Sequence, residues 1–201
     1  MRRRFESLLA SFCLVSCASA GPEIAPTPES QAFFAALETL CTDAAYRGQL
    51  VSNDADDADF KTADIVMGPA QCAPGRIEIP LAVDDDRSRI WQITQTESGL
   101  RLKHDHTHAD GSKDKITQYG GDSPNAGTAE RQIFPVDAET ERVFTEQGIP
   151  VSIQNTWAVE IRPNRQFVYE MWRPNRQFRL EFDLAETAPA PPPPWAVAPV
   201  K

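Results

Sequence analysis

The chain has 201 residues, four cysteines and a formal charge of −9. Its first sixteen residues hold three Arg and one Glu, so the remainder carries −11. That acidity argues against nucleic acid as a partner, since phosphate binding draws most of its affinity from clustered Lys and Arg. The roughly 180 residues beyond the basic start amount to one domain's core.

Arg2, Arg3 and Arg4 open the chain, an apolar run follows at 8–15, and small residues come next. This is the pattern of a secretory signal over residues 1–20, too short to span a bilayer. Leu14, Val15, Ser16 and Cys17 resemble the lipobox of bacterial lipoproteins. The resemblance implies cleavage before Cys17 and a lipid on its thiol as the only membrane attachment. Ala18 in the next position implies the outer membrane. Ala18, Ser19 and Ala20 form a competing A-x-A site, and cutting there would release a soluble periplasmic or secreted chain beginning at Gly21. Beyond the expected signal, which itself holds Cys13 and Cys17, the cysteines are Cys41 and Cys72. In an oxidising compartment they read as a disulfide contributing about 3 kcal/mol, with a reactive or metal-bound thiol as the alternative.

Residues 21–29 form a Pro-rich linker, and Ser30 has the chemistry of a helix N-cap. Phe33, Phe34, Leu37, Leu40 and Cys41 then recur at helical spacing, predicting a helix to residue 45. A strand is expected from Tyr46, followed by a solvated acidic loop at 53–59 that lacks the Gly and final Glu of an EF-hand. Past Gly75 the period becomes two, with Ile77, Ile79, Leu81 and Val83 on one face. Strands at 88–96 and 100–108 flank a turn at 97–99. Asp110 and Gly111 mark a further hairpin with its second arm at 116–119.

A strand at 128–134 leads to Asp137, the expected N-cap of a helix that carries Val143 and Phe144 and stops at Gly148. The hexapeptide beginning Arg162, Pro163, Asn164 recurs from Arg173, Pro174, Asn175. Pro and Asn suit the two central places of a turn, so 152–184 reads as a three-stranded meander. In its last strand Phe178, Leu180, Phe182 and Leu184 face inward. The Pro-rich stretch 185–201 reads as a disordered tail. The domain at 30–184 is therefore mainly β: an antiparallel barrel or strongly curved sheet, calycin-like, with two helices.

All three histidines fall on one expected strand, as His104, His106 and His108, facing the same way as Leu100 and Leu102. Neighbours two apart, with Cβ atoms roughly 7 Å apart, can share a divalent metal; His104 and His108, about 13 Å apart, cannot. The His104/His106 pair resembles the metal strand of cupins, but the acidic ligand which that family places downstream is not matched. Hairpin register sets Arg89 and Lys115 beside His106, with Trp91 and Thr117 beside His104. Cations, imidazoles and an indole together suit a small anionic molecule better than a metal. The bland alternative is a solvated hairpin end. Trp157 and Trp172 read as core or barrel-rim residues.

Residues 99–121, with Gly99, Leu100, His104, Gly111, Tyr119, Gly120 and Gly121, resemble segments of small exported bacterial proteins; that likeness implies no catalytic residue. No serine-hydrolase elbow, phosphate-binding glycine loop or zinc-protease motif occurs, so an enzyme would have to rest on the histidine pair alone. The expectation is a noncatalytic envelope protein that binds a small ligand. An assembly factor acting through envelope protein partners is the alternative.

Overall fold

The computed structural model describes residues 26–125 and 127–196. The expected signal, Cys17 and both cleavage sites lie outside the described residues. The period-two segments form strands β1 (Tyr46–Leu50), β4 (Arg76–Val83), β5 (Asp86–Thr96), β6 (Gly99–His106) and β8 (Arg131–Pro135). The meander forms β9 (Thr156–Arg162), β10 (Gln166–Arg173) and β11 (Arg176–Asp183). Two short strands were not foreseen, β2 (Ile65–Met67) and β3 (Gln71–Ala73), and β7 (Tyr119–Asp122) begins where the 116–119 arm was expected to end.

Neighbours pair antiparallel in the order β7-β6-β5-β4-β2-β1-β11-β10-β9-β8, and β3 adds to β4. The sheet curls until β7 and β8 meet, giving the nearly closed, calycin-like barrel the alternation predicts. Side chains of the inner face, among them Ile77, Ile79, Ile93, Leu102, Phe167 and Phe182, make one core. In the meander turns Asn164 and Asn175 adopt φ of 58° and 61°, each after a proline, as a type II turn requires.

The seam between β7 and β8 is closed by backbone proximity. The Gly120 N–H donates to the Thr140 hydroxyl at 2.8 Å, and that hydroxyl donates back to the Gly120 carbonyl at 2.9 Å. The Asp137 N–H reaches the same carbonyl at 3.0 Å. A Cβ on Gly121 would stand 1.8 Å from the Pro135 carbonyl oxygen, so only glycine permits this approach. Thr140 and Asp137 belong to helix α2 (Ala138–Glu146) and its N-cap, where Asp137 accepts from the Thr140 N–H at 2.8 Å as expected.

Helix α1 (Pro28–Leu37) corrects two expectations. Thr27, not Ser30, is its N-cap, because Pro28 suits the first helical position and the Thr27 hydroxyl accepts from the Ser30 N–H. The α-helix also ends at Leu37, tightening into a 3-10 turn at Glu38–Leu40. Phe33, Phe34, Leu37 and Leu40 are buried, each contributing roughly 2 kcal/mol of apolar burial, as α1 packs against β6, β8 and β9. Cys41 and Cys72 form the expected disulfide, which ties the end of this segment to β3.

Two further segments differ from the reading of the sequence. The acidic stretch forms a 3-10 helix at Ala55–Lys61, in which Asp57 is buried against Arg176 instead of solvated. The described part of the tail lies on the barrel. Ala188 bridges to Ala45, the Arg87 guanidinium donates to the Pro193 carbonyl at 2.9 Å, and its charge sits 5.8 Å from the centre of the Trp195 ring. Prolines lack N–H donors, but their carbonyls still accept, and Arg87 supplies the hydrogen bond.

Because a methyl at 121 must displace the β8 backbone, Gly121→Ala should lower the unfolding free energy by about 2 kcal/mol or more in urea titration. An unchanged midpoint would show that the seam is looser than described.

Candidate functional site

Register places the site. β5 and β6 pair Arg89 with His106 and Trp91 with His104, as the turn between the two strands predicts. Leu100, Leu102, His104 and His106 point one way along β6, while Lys103 and Asp105 point the other. Two residues along the strands from the Trp91–His104 pair, Leu102, Ile93, Ile77 and Cys72 align in neighbouring strands.

His104 is buried, and both its nitrogens are committed. Nδ1 lies 2.9 Å from the Tyr119 carbonyl oxygen and Nε2 2.8 Å from the Tyr169 hydroxyl. A carbonyl only accepts, so Nδ1 carries the hydrogen and Nε2 accepts from Tyr169. Burial pushes the imidazole down to about 3, against the opposing effect of the Tyr119 bond, and it is neutral at pH 7. Its ring stacks on Tyr119 with centroids 4.4 Å apart and planes 9° from parallel.

His106 is less enclosed, with Nε2 3.2 Å from the Tyr119 hydroxyl. Burial, then the charge of Arg89, push it down to about 4, opposed by Asp114, Asp105 and Asp86. Burial also pushes the Tyr119 phenol up to about 12 and raises Tyr169. Two neutral imidazoles and two neutral phenols thus form an uncharged polar cluster inside an aromatic wall.

Around this cluster is a cavity of about 300 Å³. Trp91, Trp157, Tyr119 and Tyr169 line it along with the imidazoles, and half-buried Phe60, Ile116, Met171 and Phe178 also border it. Trp91 stacks on Tyr169 at 4.4 Å and 18°. Two guanidinium groups reach the cavity. Arg176 is matched by Asp57 through two bonds of 2.5 Å, with Asp54 at 3.3 Å. Arg89 makes one side-chain bond among the described residues, from Nη1 to Asp86 at 2.5 Å.

The structure brings together Arg89, Trp91, His104 and His106 of the expected set. Lys115 is a correction: it is exposed in the loop after β6 and does not line the cavity. A tight hairpin at Asp110 and Gly111 would have set it opposite His106. Instead the chain makes an excursion, with Thr107 bridging Lys113, and Tyr119 is the residue opposite His104. Lys113 pairs with Asp105, facing away from the cavity, at 2.6 Å. Thr117 likewise sits by His106, accepting from its backbone N–H, and not by His104.

His108 lies past the end of β6, exposed, with Nε2 3.5 Å from Asp114. The three histidines therefore do not converge. Among the described residues no three His, Cys, Asp or Glu side chains group to hold a metal ion. With both His104 nitrogens engaged, the donor set of His104, His106 and His108 does not fit a divalent ion.

Tyr119, Trp157, Tyr169, Phe144 and the Asp57/Arg176 pair complete the site and were not assigned to it from the sequence. Alternation in β10 does place Phe167, Tyr169 and Met171 on one face, but nothing in sequence aligns that face with His104, 65 residues earlier. Comparison with known protein families, curated proteins and solved structures finds no match.

Both cavity histidines titrate below the ordinary 6.5 when folded, so between pH 6 and 5 the unfolded chain holds nearly two more protons than the folded one. This contribution to stability is then full above 6.5 and lost as pH falls, His106 charging in the fold at about 4 and His104 at about 3. The expected slope from urea titrations at pH 6 and 5 is about 2 kcal/mol per pH unit. His106→Gln should roughly halve it, and a flat wild-type profile would mean that the imidazoles charge freely in the fold.

Proposed function

We propose that this is an exported envelope lipoprotein, anchored through Cys17, whose barrel binds a small molecule without chemically changing it. The observation that carries the binding role is the aromatic-walled cavity with Arg89 and His106 beside it. Its volume and its few convergent polar groups suit a small-molecule site. Binding is favoured over catalysis because His104 and the two tyrosines spend their polar atoms on one another, leaving no deep base aimed at a ligand. Export is supported by the basic, apolar and small-residue order of residues 1–20 and by the disulfide, which forms in oxidising compartments.

The binding role is tested with the mature protein purified untagged from the periplasm and titrated with the neutral two-ring fluorophore 2-methylnaphthalene. Saturable binding of one probe per chain is expected. Met171→Trp, which fills the cavity from β10, should abolish binding while leaving the far-ultraviolet circular dichroism unchanged. Binding that survives this substitution would move the site elsewhere.

The anchor is tested by the mass of the protein from the membrane fraction. A diacylglyceryl-modified chain beginning at Cys17 is expected, and an unmodified chain beginning at Gly21 would overturn the lipoprotein assignment.

A further inference from the structure

Resting on that binding role, we propose the chemical class of the ligand: a flat aromatic monocarboxylate of one or two rings, with its ring inside the barrel and its carboxylate on Arg89. Volume sets the size. A dry cavity of about 150 Å³ accepts benzene, so one of about 300 Å³ accommodates two fused rings but no large polycycle.

The walls set the shape. The cavity is lined by Trp91, Trp157, Tyr119 and Tyr169, which already pack as near-parallel or tilted rings, with Trp91 on Tyr169 and Tyr119 5.7 Å from Trp157. A flat aromatic guest gains ring–ring contacts there beyond what its area gives, and an alkyl chain does not. The inner polar atoms set what the buried end must lack. His104 is bonded at both nitrogens and the Tyr119 hydroxyl is held against His106, so neither offers a buried ligand polar group a free partner. A hydrocarbon ring meets that condition.

The two arginines set the charge and its place. Arg176 is matched in charge by Asp57, whose two carboxylate oxygens it bonds, and it also donates to the Gln177 carbonyl. Arg89, with 30% of its side chain exposed, gives a single N–H to Asp86. A guanidinium has five N–H donors in a planar fork, so the others can receive a carboxylate in paired fashion. Opposite Arg89 on β6 is His106, and Tyr119 behind it separates this charged edge from the neutral interior. Apart from the matched Arg176–Asp57 pair, the site is thus charged at one edge and neutral in depth, matching a ligand with one anionic end.

The mature protein is titrated, by calorimetry, with naphthalene-2-carboxylate, with the isosteric neutral 2-naphthamide and with decanoate, using wild type, Arg89→Gln and Met171→Trp. Wild type should bind the naphthoate at least tenfold more tightly than either other probe. Arg89→Gln should erase the preference over the amide while leaving amide affinity within twofold of wild type. Met171→Trp should abolish binding of all three. Equal affinity for naphthoate and amide, a preference that survives Arg89→Gln, or decanoate binding as tightly as naphthoate would overturn the proposed class. In each of those cases sensitivity to Met171→Trp would still uphold a cavity binder. Binding indifferent to Met171→Trp would instead remove the cavity itself as the site, and the class with it.

Discussion

The His104 imidazole stands on β6, gives its Nδ1 hydrogen to the backbone of β7 and takes one at Nε2 from Tyr169 on β10. Strand β7 is the last in the sheet on one side and β10 is third from the other end. One neutral side chain therefore joins two walls that the sheet order keeps far apart. Each bond is worth about 1 kcal/mol net, but losing one partner would strand a buried polar group at a larger cost. The same bonds hold Tyr119 and Tyr169 at fixed positions, so the geometry that closes the barrel also shapes its cavity. The site depends on closure, and closure in turn depends on the two glycines at the seam.

Charge is sorted to match. The inner face near the cavity is neutral apart from Arg89 and the Arg176–Asp57 pair, while the outer face of β8 to β11 carries a ladder in which Arg131 and Arg179 each engage Glu160 and Glu170 and Arg179 also engages Glu181. Single exposed ion pairs contribute little, but a network whose members are half-buried and hydrogen-bonded fixes side chains in place. Lys103 extends the pattern to α2, bonding Asp137 at 2.8 Å and Glu139 at 2.9 Å. That contact holds the helix N-terminus over the seam. The net acidity visible in the sequence is thus carried largely outside the cavity, and it does not bear on whether an anion is welcome inside.

Local grammar reached as far as local constraints do. The turn after β5 is two residues long, which leaves one register for the strands that follow, and so Arg89 and Trp91 could be placed beside His106 and His104 from sequence alone. The next connection looked like a hairpin because Asp110 and Gly111 are good turn residues. Its true length is set by Asp105, which gathers Lys113, Thr117 and Gln118 around one buried carboxylate, and that many-body preference has no periodic signature. Lys115 was misplaced for this reason. Asp57 escaped notice in the same way: its partner Arg176 is 119 residues away, and an acidic run by itself gives no sign that one member is buried. The tail read as disordered because prolines cannot extend a ladder, yet the Arg87 side chain holds the Pro193 carbonyl and the Ala188 and Trp195 N–H groups bond barrel carbonyls.

The persistence of the cavity is itself informative. Residual void in a core costs about 24 cal/mol per Å³, so a dry void of about 300 Å³ would cost on the order of 7 kcal/mol, comparable to the whole stability of a small domain. Partial opening to water at Phe60, Met171 and Phe178 reduces that figure without removing it. Stability alone would favour a larger side chain than Met171 or Ile149, both of which line the space and neither of which makes a polar bond. What keeps the rings apart is the hydrogen-bonded frame of His104, Tyr119 and Tyr169, which cannot collapse inward without breaking. Elsewhere in the core, where nothing polar needs to be held open, α1 fills the space against β6, β8 and β9 and the disulfide clamps its end to β3. The contrast between a filled region and a propped one is what the proposed binding role rests on.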